Sequence, residues 1–324
     1  MKAVRSRIAG GPETLVVEDL PDPEAGTGQV VIDVAGAGLN RADSLQRQGR
    51  YHLPPDATDI FGMEVSGIIS SLGPGVTSFA IGEPVIALLS SGGYATKVAV
   101  DAGQVLRAPG RVSLLEAAGI PEAAATLVAN LCMTGRFRPG ETVLVHGATG
   151  GIGSFGIQLV KALGGRVAVT GSTPAKLMAA KGLGADILID YTREDFAERM
   201  IDEGGADIIL DTVGGPYLGQ NLLALRTFGR IITIGLQGGS EGALNLALLM
   251  KKKASVTGTL LRDRSVEQKA EIMQQTREIV IPLVESGAIA TTIDAVFPLS
   301  DVADAHRYFD SGAHVGKILL DCTR

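Results

Sequence analysis

Chemistry first becomes legible at Ala148-Thr149-Gly150-Gly151-Ile152-Gly153. The string follows the apolar, β-branched run 142–146. A stretch with helical periodicity comes after it, with Ile157, Val160 and Leu163 on one side. Strand, glycine-rich turn and helix in that order make a pyrophosphate site. The helix start turns unpaired N–H groups and the positive end of its dipole toward an anion. Gly150 lets the backbone approach the phosphates, and Gly153 lets the helix pack close to the strand. Ala148 stands where the dinucleotide fingerprint has its first glycine. Thr149, Gly151 and Ile152 complete the loop.

The next strand, 166–170, bears on which dinucleotide is held. Enzymes that use NAD place Asp or Glu at the end of this strand to bind the ribose 2′-hydroxyl. Here it runs into Gly171-Ser172-Thr173, with no carboxylate. Ser172 offers a hydroxyl, Lys176 a positive charge and Tyr191, after the third strand, a phenol. A 2′-phosphate needs donors of this kind, so the expected cofactor is NADPH. The loops Val213-Gly214 and Gly235-Leu236 follow later strands, where open α/β sheets bind ligands.

Those loops need a parallel sheet to carry them. Strands are expected at 142–146, 166–170, 186–190, 207–211, 230–234 and 255–260. Helices are expected at 154–163, 174–183, 194–203 and 216–228. This alternation is the pattern of a doubly wound α/β domain. Upstream, short apolar runs at 30–34, 65–71, 84–89 and 95–100 alternate with Gly and Pro, the punctuation of a β-rich domain. Ser113 and Glu116 form a capping-box signal ahead of an Ala-rich helical stretch that reaches about residue 136. The chain ends in mixed structure with a last strand at 317–321. The expected organisation is a Rossmann domain over 122–263, inserted in a β-rich domain made of 1–121 and 264–324. A cleft between the two is the expected place for the chemistry.

Composition narrows the class. Of the 324 residues, 45% are hydrophobic and only 4% aromatic, with no Trp, so the core is built from Val, Ile, Leu and Ala. The net charge of −6 and the single basic run Lys251-Lys252-Lys253 argue against nucleic acid and anionic membranes. Two cysteines, Cys132 and Cys322, cannot make a four-thiolate zinc site, and their scarcity suits a reducing cytoplasm. Met1-Lys2-Ala3-Val4-Arg5 carries no apolar signal segment.

The order of parts resembles the medium-chain dehydrogenase/reductase superfamily over nearly the whole chain. Within it, the sequence is similar to the zinc-free quinone oxidoreductases of the zeta-crystallin type, and most of all to the tumour-suppressor-inducible NADPH:quinone reductases. The residues that carry this are Leu39-Asn40-Arg41-Ala42-Asp43, Arg47-Gln48-Gly49-Arg50-Tyr51, Gly62-Met63-Glu64-Val65-Ser66-Gly67, Ile120-Pro121-Glu122-Ala123-Ala124, Asp211-Thr212-Val213-Gly214-Gly215 and Val315-Gly316-Lys317-Ile318, with the phosphate loop. The resemblance implies a GroES-like catalytic domain around the Rossmann domain. Zinc alcohol dehydrogenases of the superfamily have Cys where Asn40 stands and His where Met63 stands. Neither replacement suits a catalytic zinc, and no metal is expected.

The resemblance places Asn40, Asp43 and Tyr51 on the substrate side of the nicotinamide, Thr126 near the nicotinamide, and Lys317 at the pyrophosphate. It also implies a homodimer formed through the strand at 255–260. Other readings stand beside these: Asn40 capping a turn, Asp43 capping the helix that follows, and Tyr51 as a packed loop residue. Glu64 reads as structural, and His146 as a packed or hydrogen-bonded strand residue. A serine that assists reduction in some relatives is replaced by Gly150. The expected activity is transfer of reducing equivalents from NADPH to a quinone. Two alternatives remain: reduction of an enone, 2-alkenal or enoyl-thioester, and a crystallin-like or RNA-associated NADPH-binding role with little turnover.

Overall fold

In a computed structural model, every residue is described except His52 and Asp56. The chain divides into two compact units. One comprises residues 1–125, 261–287 and 291–324, and the other 126–260 with 288–290.

The second unit is built on a six-stranded, all-parallel sheet. Its order is Ile187–Asp190, Arg166–Gly171, Thr142–His146, Ala206–Asp211, Leu225–Thr233 and Ser255–Gly258. In sequence order this is 3-2-1-4-5-6, the Rossmann arrangement, with ligands expected at the carboxyl ends of the strands. The central strand Thr142–His146 is buried along its whole length, which is why it reads as an unbroken apolar run. Helices Gly151–Ala162, Pro174–Gly182, Phe196–Asp202 and Leu218–Ala224 fill the crossovers.

Two elements depart from the sequence expectation. The helix expected over 216–228 ends at Ala224, because Leu225 already pairs with Ala206 in the sheet. The next registered pair is Arg230 with Ile208, so the strand bulges between them. Phe228 takes a left-handed φ of 65° there and is 66% exposed. The Ala-rich stretch is α-helical over Pro121–Leu127 and then widens into a π-helix over Val128–Thr134. Gly135 N–H closes that end on Asn130 O at 2.8 Å.

The first unit carries a seven-stranded sheet. Its path is Ile293–Pro298, Lys317–Asp321, Gln29–Gly38, Glu64–Leu72, Pro84–Leu88 and Val105–Arg107, with Lys97–Asp101 paired to Gln29–Gly38. A core of Val30, Ile32, Val34, Val65, Ile69, Val85, Ile318 and Leu320 fills it. The two ends of the sequence therefore meet in one sheet: Leu319 opposes Gly38 in antiparallel register, and Ala37 opposes Val65. Helix Arg41–Arg47 leaves the end of Gln29–Gly38. It is anchored from the C-terminal segment: Asp310 accepts from Ser44 Oγ at 2.7 Å and pairs with Arg47 at 2.5 Å. The Ser113–Glu116 capping box is present as expected. No helix among the described residues is long and apolar enough to cross a membrane.

Candidate functional site

In the Rossmann unit the phosphate loop opens at Gly147, whose φ of +85° is free of strain only for glycine. The tight turn thus falls one residue before Ala148, which is buried. The glycines that matter are spaced three apart, at 147, 150 and 153. Gly150 is the N-cap of helix Gly151–Ala162, and its φ of −70° is open to any residue. A Cβ there would meet nothing within 4 Å, so space lies beside the helix start. Gly153 is the opposite case. A Cβ on it would sit 2.0 Å from Gly147 O. Thr149 is buried, and Gly151 and Ile152 form the partly exposed first turn.

Gly171 and Ser172 close one strand, Tyr191 follows the adjacent one, and Lys176 lies in the first turn of helix Pro174–Gly182. Gly171 ends Arg166–Gly171 and registers with Asp190. Tyr191 N–H donates to Gly171 O at 3.3 Å. Thr173 caps the next helix by accepting from Lys176 N–H. The Tyr191 ring is 45% exposed. Val213 N–H donates to Asp211 Oδ1 at 2.8 Å, and Gly238 N–H to Val213 O at 2.8 Å. These bonds bring the Val213 and Gly235-Leu236 loops together at the ends of their strands. Leu236 is left 55% exposed. Thr126 is buried, its carbonyl accepting from Asn130 Nδ2 at 2.7 Å. His146 is a packed strand residue. It bonds Thr170 Oγ1 at 3.1 Å and Asn221 Oδ1 at 2.7 Å, lies edge-on to Phe196 and Tyr217, and is pushed toward its neutral form by burial.

In the other unit, Asn40, Asp43, Glu64, Tyr94, Glu122, Arg262 and Lys317 form one polar cluster, buried except at the partly exposed Asn40 and Glu122. Glu64 is fully buried. It accepts from Asn40 Nδ2 at 2.9 Å and from Glu122 N–H at 2.9 Å, and it pairs with the Lys317 ammonium. Lys317 also donates to Asn40 Oδ1 at 2.8 Å and Leu39 O at 3.1 Å. The Asn40 amide, which donates to Gly38 O as well, is held inside this network. Asp43 is fully buried and accepts from Asn40 N–H and Tyr94 Oη, each at 2.9 Å. Burial raises it to about 6 against the opposing pull of Arg262.

Tyr51 differs from Asn40 and Asp43 in facing open space. It lines a cavity of about 310 Å³ with Ile8, Gln46, Leu53 and Phe61. The Arg262 guanidinium lies 5.3 Å from its ring centroid. Burial, with Asp263 and Glu122 nearby, pushes the phenol up to about 12. Tyr51 therefore stays protonated at neutral pH and can donate a hydrogen bond, but it is a poor source of a proton.

Sequence reading missed Glu122, Arg262 and Tyr94. Arg262 is 3% exposed and donates to Ser90 O and Gln46 Oε1, each at 2.6 Å. Only their partner Glu64 left a signal, in Gly38 at the end of Gln29–Gly38, since glycine in a strand marks a close approach. A Cβ on Gly38 would lie 2.2 Å from Glu64 Oε1.

Residues 26–110 match the family of the alcohol dehydrogenase GroES-like domain, and residues 183–320 match the family described as zinc-binding dehydrogenase. The synaptic vesicle membrane protein VAT-1 homolog of Rattus norvegicus is 30% identical, over 96% of this chain and 81% of that protein. A 2-haloacrylate reductase of Burkholderia is 29% identical, over 96% of both chains. The quinone oxidoreductase of Escherichia coli, solved in complex with NADPH, superposes with a TM-score of 0.88. It is 27% identical, over 99% of this chain and all of that one. The chain belongs to the medium-chain dehydrogenase/reductase superfamily, a class of oxidoreductases.

The zinc of that second family's description does not suit the residues found here. Asn40 and the buried Met63 replace thiolate and imidazole, and the Lys317 ammonium already sits between Asn40 Oδ1 and Glu64. Zinc is bound by thiolate, imidazole and carboxylate. Among the described residues no three His, Cys, Asp or Glu side chains are grouped to hold a metal.

Proposed function

We propose that this protein transfers reducing equivalents from NADPH to a quinone without a catalytic metal. One observation carries the reading. Gly150 follows Thr142–His146 with open space beside its helix start, and the adjacent strand Arg166–Gly171 runs into Ser172, with Lys176 and Tyr191 following, where an acid would stand. The E. coli relative, a quinone oxidoreductase that binds NADPH, supports it.

The residues fit the cofactor part by part. N–H groups of Gly151, Ile152 and Gly153 would face the pyrophosphate. Gly171, Ser172, Lys176 and Tyr191 would hold the adenosine 2′-phosphate, and Thr126, Val213, Gly235 and Leu236 the nicotinamide side. Bound there, NADPH supplies a hydride. Tyr51 would hydrogen-bond the acceptor's carbonyl oxygen as negative charge builds on it. Asn40 and Asp43 act as positioning residues within the polar cluster. A second reading, reduction of an activated C=C bond, is favoured by the likeness to 2-haloacrylate reductase. We also propose a homodimer through Ser255–Gly258, the exposed edge strand of the parallel sheet.

The direct test is NADPH oxidation with a panel of ortho-quinones, para-quinones and enones. Tight NADPH binding without oxidation by any acceptor would replace the reductase with a binding role. The cofactor assignment has its own test. Lys176→Ala should weaken NADPH about ten- to hundred-fold, the worth of a charge-assisted hydrogen bond at roughly 1.5–3 kcal/mol. NADH binding should change little. Equal weakening of both dinucleotides, measured by fluorescence titration, would remove Lys176 from the 2′-phosphate.

A further inference from the structure

We infer that Glu122 is the proton donor of the reduction, an inference that rests on the reductase reading above. The geometry sets Glu122 apart from the other carboxyls of the cluster. Glu64 is committed to Lys317, Asn40 and the Glu122 N–H. Asp43 accepts from Asn40 and Tyr94 through Oδ2 alone, and its other oxygen, though unpartnered, is sealed in a residue with no exposed surface and so has no path to solvent. The Glu122 carboxyl makes no hydrogen bond among the described residues, and the residue keeps an edge open to solvent. It is thus placed deep in the unit with a route for proton exchange.

The groups around Glu122 come from every side of the cluster. Glu64 and Asp43 disfavour a second negative charge, while Lys317 and Arg262 favour it. Tyr51 and, from helix Val266–Ile279, Lys269 also lie within electrostatic reach. Burial outweighs the cations, followed by the Glu64 charge, and the carboxyl is raised to about 8. At pH 7 it carries its proton. Tyr51, raised to about 12, gives up a proton far less readily, and an acid is most effective when its pKa lies near the working pH.

The step balances as follows. A hydride passes to the acceptor with its electron pair, leaving NADP⁺ and an oxyanion on the acceptor. The Glu122 O–H bond breaks as a new O–H bond forms on that oxygen. The Glu122 carboxylate then regains a proton from water. NADPH, one proton and a quinone become NADP⁺ and a hydroquinone.

The test uses Glu122→Gln and Glu122→Asp with two readouts. Without cofactor, the folded carboxyl is raised above its unfolded value, so its stability contribution is present below about pH 4.5 and lost as pH rises through about 8. The Tm of wild type should therefore fall relative to Glu122→Gln between those values. In turnover with a quinone, wild-type kcat should drop above about pH 8. Glu122→Gln should lower kcat at least about a hundred-fold with little change in KM and lose that alkaline limb, the scale of a lost general acid. Glu122→Asp should recover part of the rate. If Glu122→Gln keeps the wild-type kcat and limb, or if the Tm difference is flat with pH, this inference is overturned and the reductase reading survives. If none of the quinones or enones drives NADPH oxidation by wild type, both fall.

Discussion

Lys317→Met should destabilise the GroES-like unit by about 3–5 kcal/mol, the cost of leaving one charge of a buried pair without its partner. Lys317 is 4% exposed and Glu64 has no exposed surface. With the ammonium gone, Glu64 keeps only two neutral donors, the Asn40 amide and the Glu122 N–H. For a unit of this size the expected fall in Tm is on the order of 10 °C. The double variant Glu64→Gln/Lys317→Met should regain most of it, because replacing both charges removes the uncompensated one. Thermal unfolding of the two variants measures both outcomes. A loss below about 1 kcal/mol for the single variant would show that the pair is not the keystone of the cluster.

The same pair of variants resolves the role of Lys317, for which the family resemblance implies a contact to the pyrophosphate. In the structure its ammonium is turned to Glu64, Asn40 and Leu39 O. If it serves that cluster alone, the double variant binds NADPH as wild type does. If it also reaches the cofactor, affinity falls in the single and the double variant alike.

The Rossmann half was readable because its information is local. Thr142–His146 is a fully buried strand, so its burial appears as a continuous apolar run. The phosphate loop and the acid-free end of Arg166–Gly171 are contiguous strings as well. The helix end at Ala224 was hidden because its cause is a pairing with Ala206, far back in the chain. The polar cluster was hidden for the same reason on a larger scale. Residues 40, 64 and 317 meet because Lys317–Asp321 and Glu64–Leu72 flank Gln29–Gly38 in fixed register, and 94, 122 and 262 join them from other, distant parts of the chain. Asn40 read as a capping residue, as a substrate ligand or as a lost zinc ligand. Its observed place between Lys317 and Glu64 depends on two strands that no local pattern links to it.

The phosphate loop allows two glycines three residues apart to be separated by what each one does. Gly150→Ala should leave stability within about 1 kcal/mol, since its backbone is ordinary and a Cβ meets nothing within 4 Å. It should still weaken NADPH, because the added methyl fills the space through which the pyrophosphate approaches. A loss of about ten-fold or more corresponds to roughly 1.4 kcal/mol. Gly153→Ala has two opposed effects. Alanine within a helix gains up to about 1 kcal/mol over glycine. The methyl, however, would stand 2.0 Å from Gly147 O, a backbone atom that cannot move without shifting the turn. Overpacking of this kind costs about 1–3 kcal/mol, so the clash wins and the variant should be less stable and bind NADPH poorly. Thermal unfolding and fluorescence titration should therefore give loss of affinity alone at 150, and loss of both at 153. If Gly150→Ala binds NADPH at full strength, the pyrophosphate does not approach the chain there and the cofactor assignment fails.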